Sequence, residues 1–307
     1  MDPAADCTHP HFEHRDDYAA GVIVDAHCHA WRSWPYDWQV PDPATRGSVE
    51  ALLYEMDQAG VDRSVIVSAR IGAGDPRTDN LDNNEFVAAA VAEHAERLVQ
   101  LADVDSFWSD THHTPGAAAR LTEVVTRTGA VGVTHYSTGA DDGWFDSPDG
   151  VEFFGRAAEL GLIVSLHTPP EWQPAIGRLA QRFPAMPILV HHQGHVPTAP
   201  DRLADQLPLL LANAAYPNVI IKLSGFHYIV DPPYDYPYPT AMATLQQVYA
   251  AYGGDRFVWG SDFPVARRHL TYRQSLEVVR QHCPFVRDDL PDILGGTMQR
   301  LLEAARR

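Results

Sequence analysis

Eight short apolar runs recur along this 307-residue chain, each followed by a helical pattern. The runs fall at 22–26, 64–68, 98–104, 130–134, 162–166, 187–191, 219–223 and 256–260. They are nearly continuous in Val, Ile and Leu, as strands are when a parallel sheet buries both of their faces. Between them, 48–60 opens on Ser48 and closes on Gly60, 83–97 is rich in Ala, and 114–129 has Pro and Gly at its ends. The segment 149–161 repeats the spacing of one apolar helical face. Further helices fit 172–183, 201–216, 240–252 and 272–282, and a last one follows Pro291. Eight such units predict an α/β fold of the (β/α)8 or TIM-barrel type, distorted by long βα loops. A doubly wound open sheet competes, but it carries a glycine-rich phosphate loop after its first strand. Here the first run ends in HCHAW instead.

The expected organisation is a polar leader over 1–20 and one barrel domain over 21–307. His9, His11 and His14 lie in that leader and are given no metal role. No apolar run is long enough to span a bilayer, and no basic segment precedes an apolar core as in a secretory signal. Cys7, Cys28 and Cys283 are the three cysteines, an odd number with no C-x-x-C pair, so a reducing, cytoplasmic setting is expected. The net charge of −17 opposes nucleic acid and anionic membranes as partners. It does not oppose an anionic small substrate, since a local field can run against the net charge.

The chemistry-bearing residues gather where the runs end. In VIVDAHCHAW (22–31), His27 and His29 stand two apart, so a strand presents both on one face. By the same parity Ile23 and Asp25 join them, Ile220 aligns with Lys222 and Ser224, Val258 with Gly260 and Asp262, and Val133 with His135. His167 ends the fifth run. In PILVHHQGH, His192 falls on one face and His191 on the other, behind the strand, while His195 borders the mouth. With their sets turned inward, His27, His29, His167 and Asp262 make a ligand set for one divalent ion, Zn²⁺ or alternatively Mn²⁺. Such an ion acidifies water towards neutral pH. His192 is the expected general base or oxyanion partner. Lys222 is read either as an anchor for a substrate carboxylate or carbonyl or as a salt-bridged lysine. His135 is read as a substrate contact or a satisfied histidine, and Asp25 as an acceptor behind the histidine pair or a core cap.

The long loops follow strands one, three, four and seven and are rich in aromatic residues. Trp31, Trp34, Trp38, Trp108, Trp144, Tyr234 and Tyr236 point to a ring-bearing or apolar substrate, with Trp31 and Tyr234 as its expected contacts, or to loop packing. A barrel without catalysis would instead have its site blocked by the Tyr-rich loop 231–239.

DAHCHAW at the first strand, His at the end of the fifth, HHQG at the sixth, NVIIKLSG at the seventh and GSDFP at the eighth together resemble the amidohydrolase-related family. This is the branch of the amidohydrolase superfamily that holds metal-dependent lactonases and aminocarboxymuconate semialdehyde decarboxylase-like enzymes. The resemblance runs from about Gly21 onward and implies metal positions at His27, His29, His167 and Asp262 and a catalytic histidine at His192. The family's binuclear members carry a carboxylated lysine at strand four. His135 in its place implies a mononuclear site. Thr134 stands where sugar lactonases of this kind often carry Arg. The implied activity is hydrolysis of a lactone or related cyclic ester or amide, with Asp262 moving the proton. The alternative is non-oxidative decarboxylation of an aromatic or unsaturated carboxylate at the same ion. A small, cyclic or carboxylated substrate and a homodimer or higher homo-oligomer complete the expectation.

Overall fold

The computed structural model describes residues 21–37, 39–72 and 77–305. Trp38, the leader over 1–20 and its Cys7, His9, His11 and His14 lie outside the described residues. Strands and helices alternate as β1 (Val24–Cys28), α1 (Val49–Ala59), β2 (Arg63–Val67), α2 (Asn83–Glu93), β3 (Leu98–Asp103), α3 (Ala117–Thr128), β4 (Gly132–Tyr136) and α4 (Pro148–Glu159). They continue as β5 (Ile163–His167), α5 (Gln173–Arg182), β6 (Ile188–Val190), α6 (Pro200–Ala212), β7 (Val219–Leu223), α7 (Pro239–Tyr252), β8 (Phe257–Trp259), α8 (Tyr272–His282) and α9 (Thr297–Ala305). All eight strands pair in parallel, in sequence order. The (β/α)8 barrel is therefore the observed architecture.

Local chemistry sets the helix ends. Ser48 accepts the Ala51 N–H at the start of α1, and Gly60 ends it at φ 71°. Ser147 caps α4 ahead of Pro148, and Thr271 with Gln274 forms a capping box on α8. The barrel interior is filled by Val24, Ala26, Val65, Val67, Val99, Leu101, Ile163, Leu189, Ile220 and Val258. Met298 and Leu302 of α9 join this cluster. The opposite faces, among them Ile66, Val133, Leu166, Val190, Ile221 and Trp259, pack against the helices. Among the described residues no helix is long and apolar enough to cross a membrane.

The barrel closes beyond the end of β8. The Asp262 N–H donates to the His27 carbonyl at 2.8 Å, and the His29 N–H donates to the Phe263 carbonyl at 2.6 Å. A register shift between Asp25 and Cys28 marks a bulge in β1. This corrects the expected parity. Ala26 faces the interior, whereas Asp25 turns away and accepts from the Ser261 N–H, the Ser261 hydroxyl and the Tyr272 hydroxyl of α8. Asp25 also accepts the His27 backbone N–H. It thus stands as an acceptor behind the histidine pair, through the His27 backbone, and pins the bulge to the β8 loop.

Gly260 sits at this seam because a side chain would not fit: a Cβ there would lie 2.5 Å from the His27 Cβ. We expect Gly260→Ala to push β8 off β1 and cost roughly 1–3 kcal/mol. Thermal unfolding should show a melting temperature lower by several degrees; an unchanged melt would mean that the seam tolerates the methyl group.

Candidate metal centre at the barrel mouth

The seam brings His27, His29 and Asp262 together. Their nearest ligand atoms are 3.4 Å (His27 Nε2 to Asp262 Oδ1) and 3.6 Å (His29 Nε2 to Asp262 Oδ1) apart. His192 Nε2 lies 3.9 Å from Oδ1, and His227 Nε2 lies 3.7 Å from Oδ2. Four imidazole nitrogens thus surround one carboxylate that is 1% exposed, yet neither carboxylate oxygen has a hydrogen-bond partner. A buried carboxylate without a donor is costly unless a cation joins it. The spacing also fits a cation. Tetrahedral ligands at 2.0–2.2 Å from a zinc ion stand roughly 3.3–3.6 Å from one another.

The rings are aimed from behind. His29 Nδ1 donates to the Val67 carbonyl at 2.7 Å, so its Nε2 carries the lone pair. Its ring stacks on Trp31 at 4.8 Å. His27 Nδ1 meets Lys222 Nζ at 3.0 Å, and His192 Nδ1 meets the Ser224 hydroxyl at 3.0 Å. Burial pushes the pKa of His27, His167, His191 and His192 well down, and lowers those of His195 and His227 to about 4. These rings are neutral near pH 7 and have lone pairs to offer. From His192 to His195 the backbone is left-handed at four successive residues, with φ 47°, 52°, 66° and 55°. Three of the four are not glycine, so the turn is strained, as segments at functional sites often are. Gly225 (φ 58°) leaves room for this turn, since a Cβ there would come 2.4 Å from His192 Nδ1.

Several side chains stand elsewhere than the sequence places them. His167 groups with His192 and His195, not with His27, His29 and Asp262. Because β6 ends at Val190, His191 is not behind the strand: its Nε2 bonds the Ser165 hydroxyl at 2.6 Å, and its ring lies 4.5 Å from that of His27. Lys222 does not reach out to substrate. It is 0% exposed, and its amine holds the His27 ring and the Ser165 hydroxyl (2.8 Å) while burial lowers its pKa to about 7. His135 is also buried, but it faces the helices beside Phe145 and Phe153. The next residue, Tyr136, enters the barrel and stacks on His167 at 4.8 Å. Trp31 is 1% exposed and donates to the Ala69 carbonyl, so it supports His29 rather than a ligand. Tyr234 is 71% exposed, and its loop does not line the cleft at the barrel mouth. That cleft, of about 320 Å³, is lined by Phe107, Ser137, His167, Thr168, His195 and Tyr228. His227 is the member that strand parity missed. It follows the left-handed Gly225, beyond the strand, and its sequence signal is a polar residue two positions after KLSG.

The amidohydrolase family model matches residues 24–303. The chain belongs to the amidohydrolase family. It is 27% identical to an L-fucono-1,5-lactonase of Burkholderia ambifaria over 256 residues, which span 80% of this chain and 81% of that one. An amidohydrolase of Burkholderia multivorans solved with bound zinc superposes with a TM-score of 0.71 at 21% identity, covering 92% of this chain and 99% of the other. A 5-carboxyvanillate decarboxylase of Sphingomonas paucimobilis gives a TM-score of 0.62 at 18% identity, with 92% and 99% covered. These two likenesses are likenesses of fold.

A lysine that props a ligand ring and one that grips substrate respond differently to replacement. Lys222→Met should lower kcat by roughly 10–100-fold with little change in KM, as losses behind a ligand do. A rise confined to KM would return Lys222 to the substrate.

Proposed function

We propose that this amidohydrolase opens a lactone, with sugar-type 1,5-lactones the first class to test, at one divalent ion of the zinc type. The observation that carries the reading is the buried, unpartnered Asp262 carboxylate among the His27, His29, His192 and His227 nitrogens. It is supported by a lactonase relative that aligns over 80% of the chain. His27, His29 and Asp262 would hold the ion, with His167 in the adjoining trio facing the same mouth. When bound, the ion supplies Lewis acidity, polarising the ester carbonyl and making water a better acid.

The chain's own residues divide the remaining work. The cleft would seat the lactone ring between Phe107 and Tyr228, its two exposed aromatic walls. Asp262 takes a proton from the attacking water as the water oxygen bonds to the carbonyl carbon. His192 Nδ1 pairs with the Ser224 hydroxyl at 3.0 Å; with that hydroxyl as donor, Nε2–H would be free to donate to the carbonyl oxygen as negative charge develops there. The ring C–O bond then breaks, and Asp262 returns its proton to the departing alkoxide. Water and lactone give a hydroxy acid, with no other reactant.

Decarboxylation, the alternative that the motifs allow, rests on a likeness of fold at 18% identity, whereas the lactonase likeness extends to the sequence. A panel of sugar 1,5-lactones and aromatic carboxylates, read by acid release and by CO₂ release, separates the two. We expect acid release from a lactone, abolished by a chelator and restored by Zn²⁺. Asp262→Asn should lower kcat by about 10²–10⁴-fold. CO₂ release with no lactone turnover would overturn the reading.

A further inference from the structure

A second set of histidines lies outside this site, on the helix side of β4. His112 and His113 come from the loop between β3 and α3, and His135 from β4 itself. Each ring is fixed through Nδ1 by an oxygen. His135 Nδ1 meets the Val104 carbonyl at 3.0 Å, His112 Nδ1 the Asp105 carbonyl at 2.7 Å, and His113 Nδ1 the Asp142 carboxylate at 2.6 Å. Two of these oxygens are carbonyls and the third a carboxylate, and such groups only accept. Each Nδ1 therefore carries the hydrogen, and each Nε2 is left to face its neighbours. The three ligand atoms lie within 4.8 Å of one another, and His113 Nε2 and His135 Nε2 are 3.1 Å apart.

Lone pairs that converge in a partly buried place favour something positive among them. Trp144, Phe145 and Phe153 wall the set with apolar surface. His135 is fully buried and its pKa is lowered to about 3, so its own nitrogen stays unprotonated. Imidazoles whose far nitrogens donate to a carbonyl or carboxylate are the arrangement of metal-binding histidines. We propose that His112, His113 and His135 form a second metal site, a tri-histidine site for a zinc-class transition-metal ion, separate from the one at the barrel mouth. The donor set is all nitrogen, which suits zinc and its neighbours in the first row rather than magnesium or calcium. Asp142, behind His113, supplies the negative charge. The His113 and His135 rings are already within 16° of a common orientation, while His112 lies stacked on His113 at 3.6 Å and must tilt off that stack for its nitrogen to join. The ion would tie the β3–α3 loop to β4 and to the loop after it. None of this depends on the reaction assigned to the barrel mouth.

The test counts ions. Full-length protein is stripped with a chelator, reloaded with Zn²⁺, desalted and assayed for bound zinc per chain, with circular dichroism as the control for folding. Wild type should hold one more equivalent than His112→Gln/His113→Gln. Equal stoichiometry in two folded proteins overturns the site and leaves a proton as the bridge between His113 and His135. Asp142→Asn serves where the double variant does not fold, because it alters an exposed carboxylate and keeps all three ligands. One class of zinc should then bind roughly 10–100-fold more weakly in a competition titration against a chromogenic chelator. An unchanged titration would likewise overturn the proposal.

Discussion

The hydrogen bonds that close the barrel are also the bonds that assemble the candidate metal centre. Asp262 N–H to the His27 carbonyl and His29 N–H to the Phe263 carbonyl join the two ends of the sheet. The same residues point their side chains at one another 3.4–3.6 Å apart. Closure and site are one constraint, so neither can relax alone. Asp25 holds the seam from outside, taking four hydrogen bonds from His27, Ser261 and Tyr272. Burial raises its pKa to about 6, and those donors oppose the rise. The arrangement is expensive in desolvation and is repaid only where strand, bulge and helix all stay in register.

Electrostatics at the mouth follow from burial rather than from net charge. A chain with 40 acidic and 23 basic side chains still builds a centre where neutral imidazoles outnumber carboxylates. Burial keeps protons off these histidines, which leaves their nitrogens free to serve as ligands or bases. It also lowers the pKa of Lys222 towards neutrality, so its amine can share a hydrogen with His27 rather than repel a cation. The Ser165 hydroxyl bridges this amine to His191, which ties β5, β6 and β7 to one ligand ring on β1. A displaced ring would therefore disturb three strands, and this network gives the site its rigidity.

How much of this was legible depends on whether a feature lay within a strand or past its end. The eight-unit rhythm and the pair His27–His29 could be read directly, because apolar runs and period-two spacing are local. Even so, the pair faces inward through a bulge that breaks the expected parity, and Asp25 on the same nominal face points the other way. Strand β4 runs two residues further than its apolar run, so Tyr136, not His135, meets His167. Past the strand ends, period two no longer applies. The left-handed turn at His192–His195 swings His191 and His192 both inward, and Gly225 turns His227 towards Asp262. Such turns are set by tertiary contact, for instance the space Gly225 leaves for His192, and no single-chain pattern encodes it.

The two histidine sets meet at β4, where adjacent residues go to opposite sides of the sheet. His135 reaches out to His113, and Tyr136 reaches in to His167. A strand cannot turn one of these side chains without moving the other, because their directions are fixed by the pleat. Ser106 adds to the coupling: its hydroxyl accepts the Tyr136 N–H and donates to Asp103, in the same loop that carries His112 and His113. The position of the β3–α3 loop is thus read on both faces of β4. Whatever charge rests between His113 and His135 acts on that loop, and through the Tyr136 backbone it bears on the aromatic wall behind His167. The candidate site at the barrel mouth is in that sense supported from outside the barrel, by residues on the helix side of β4.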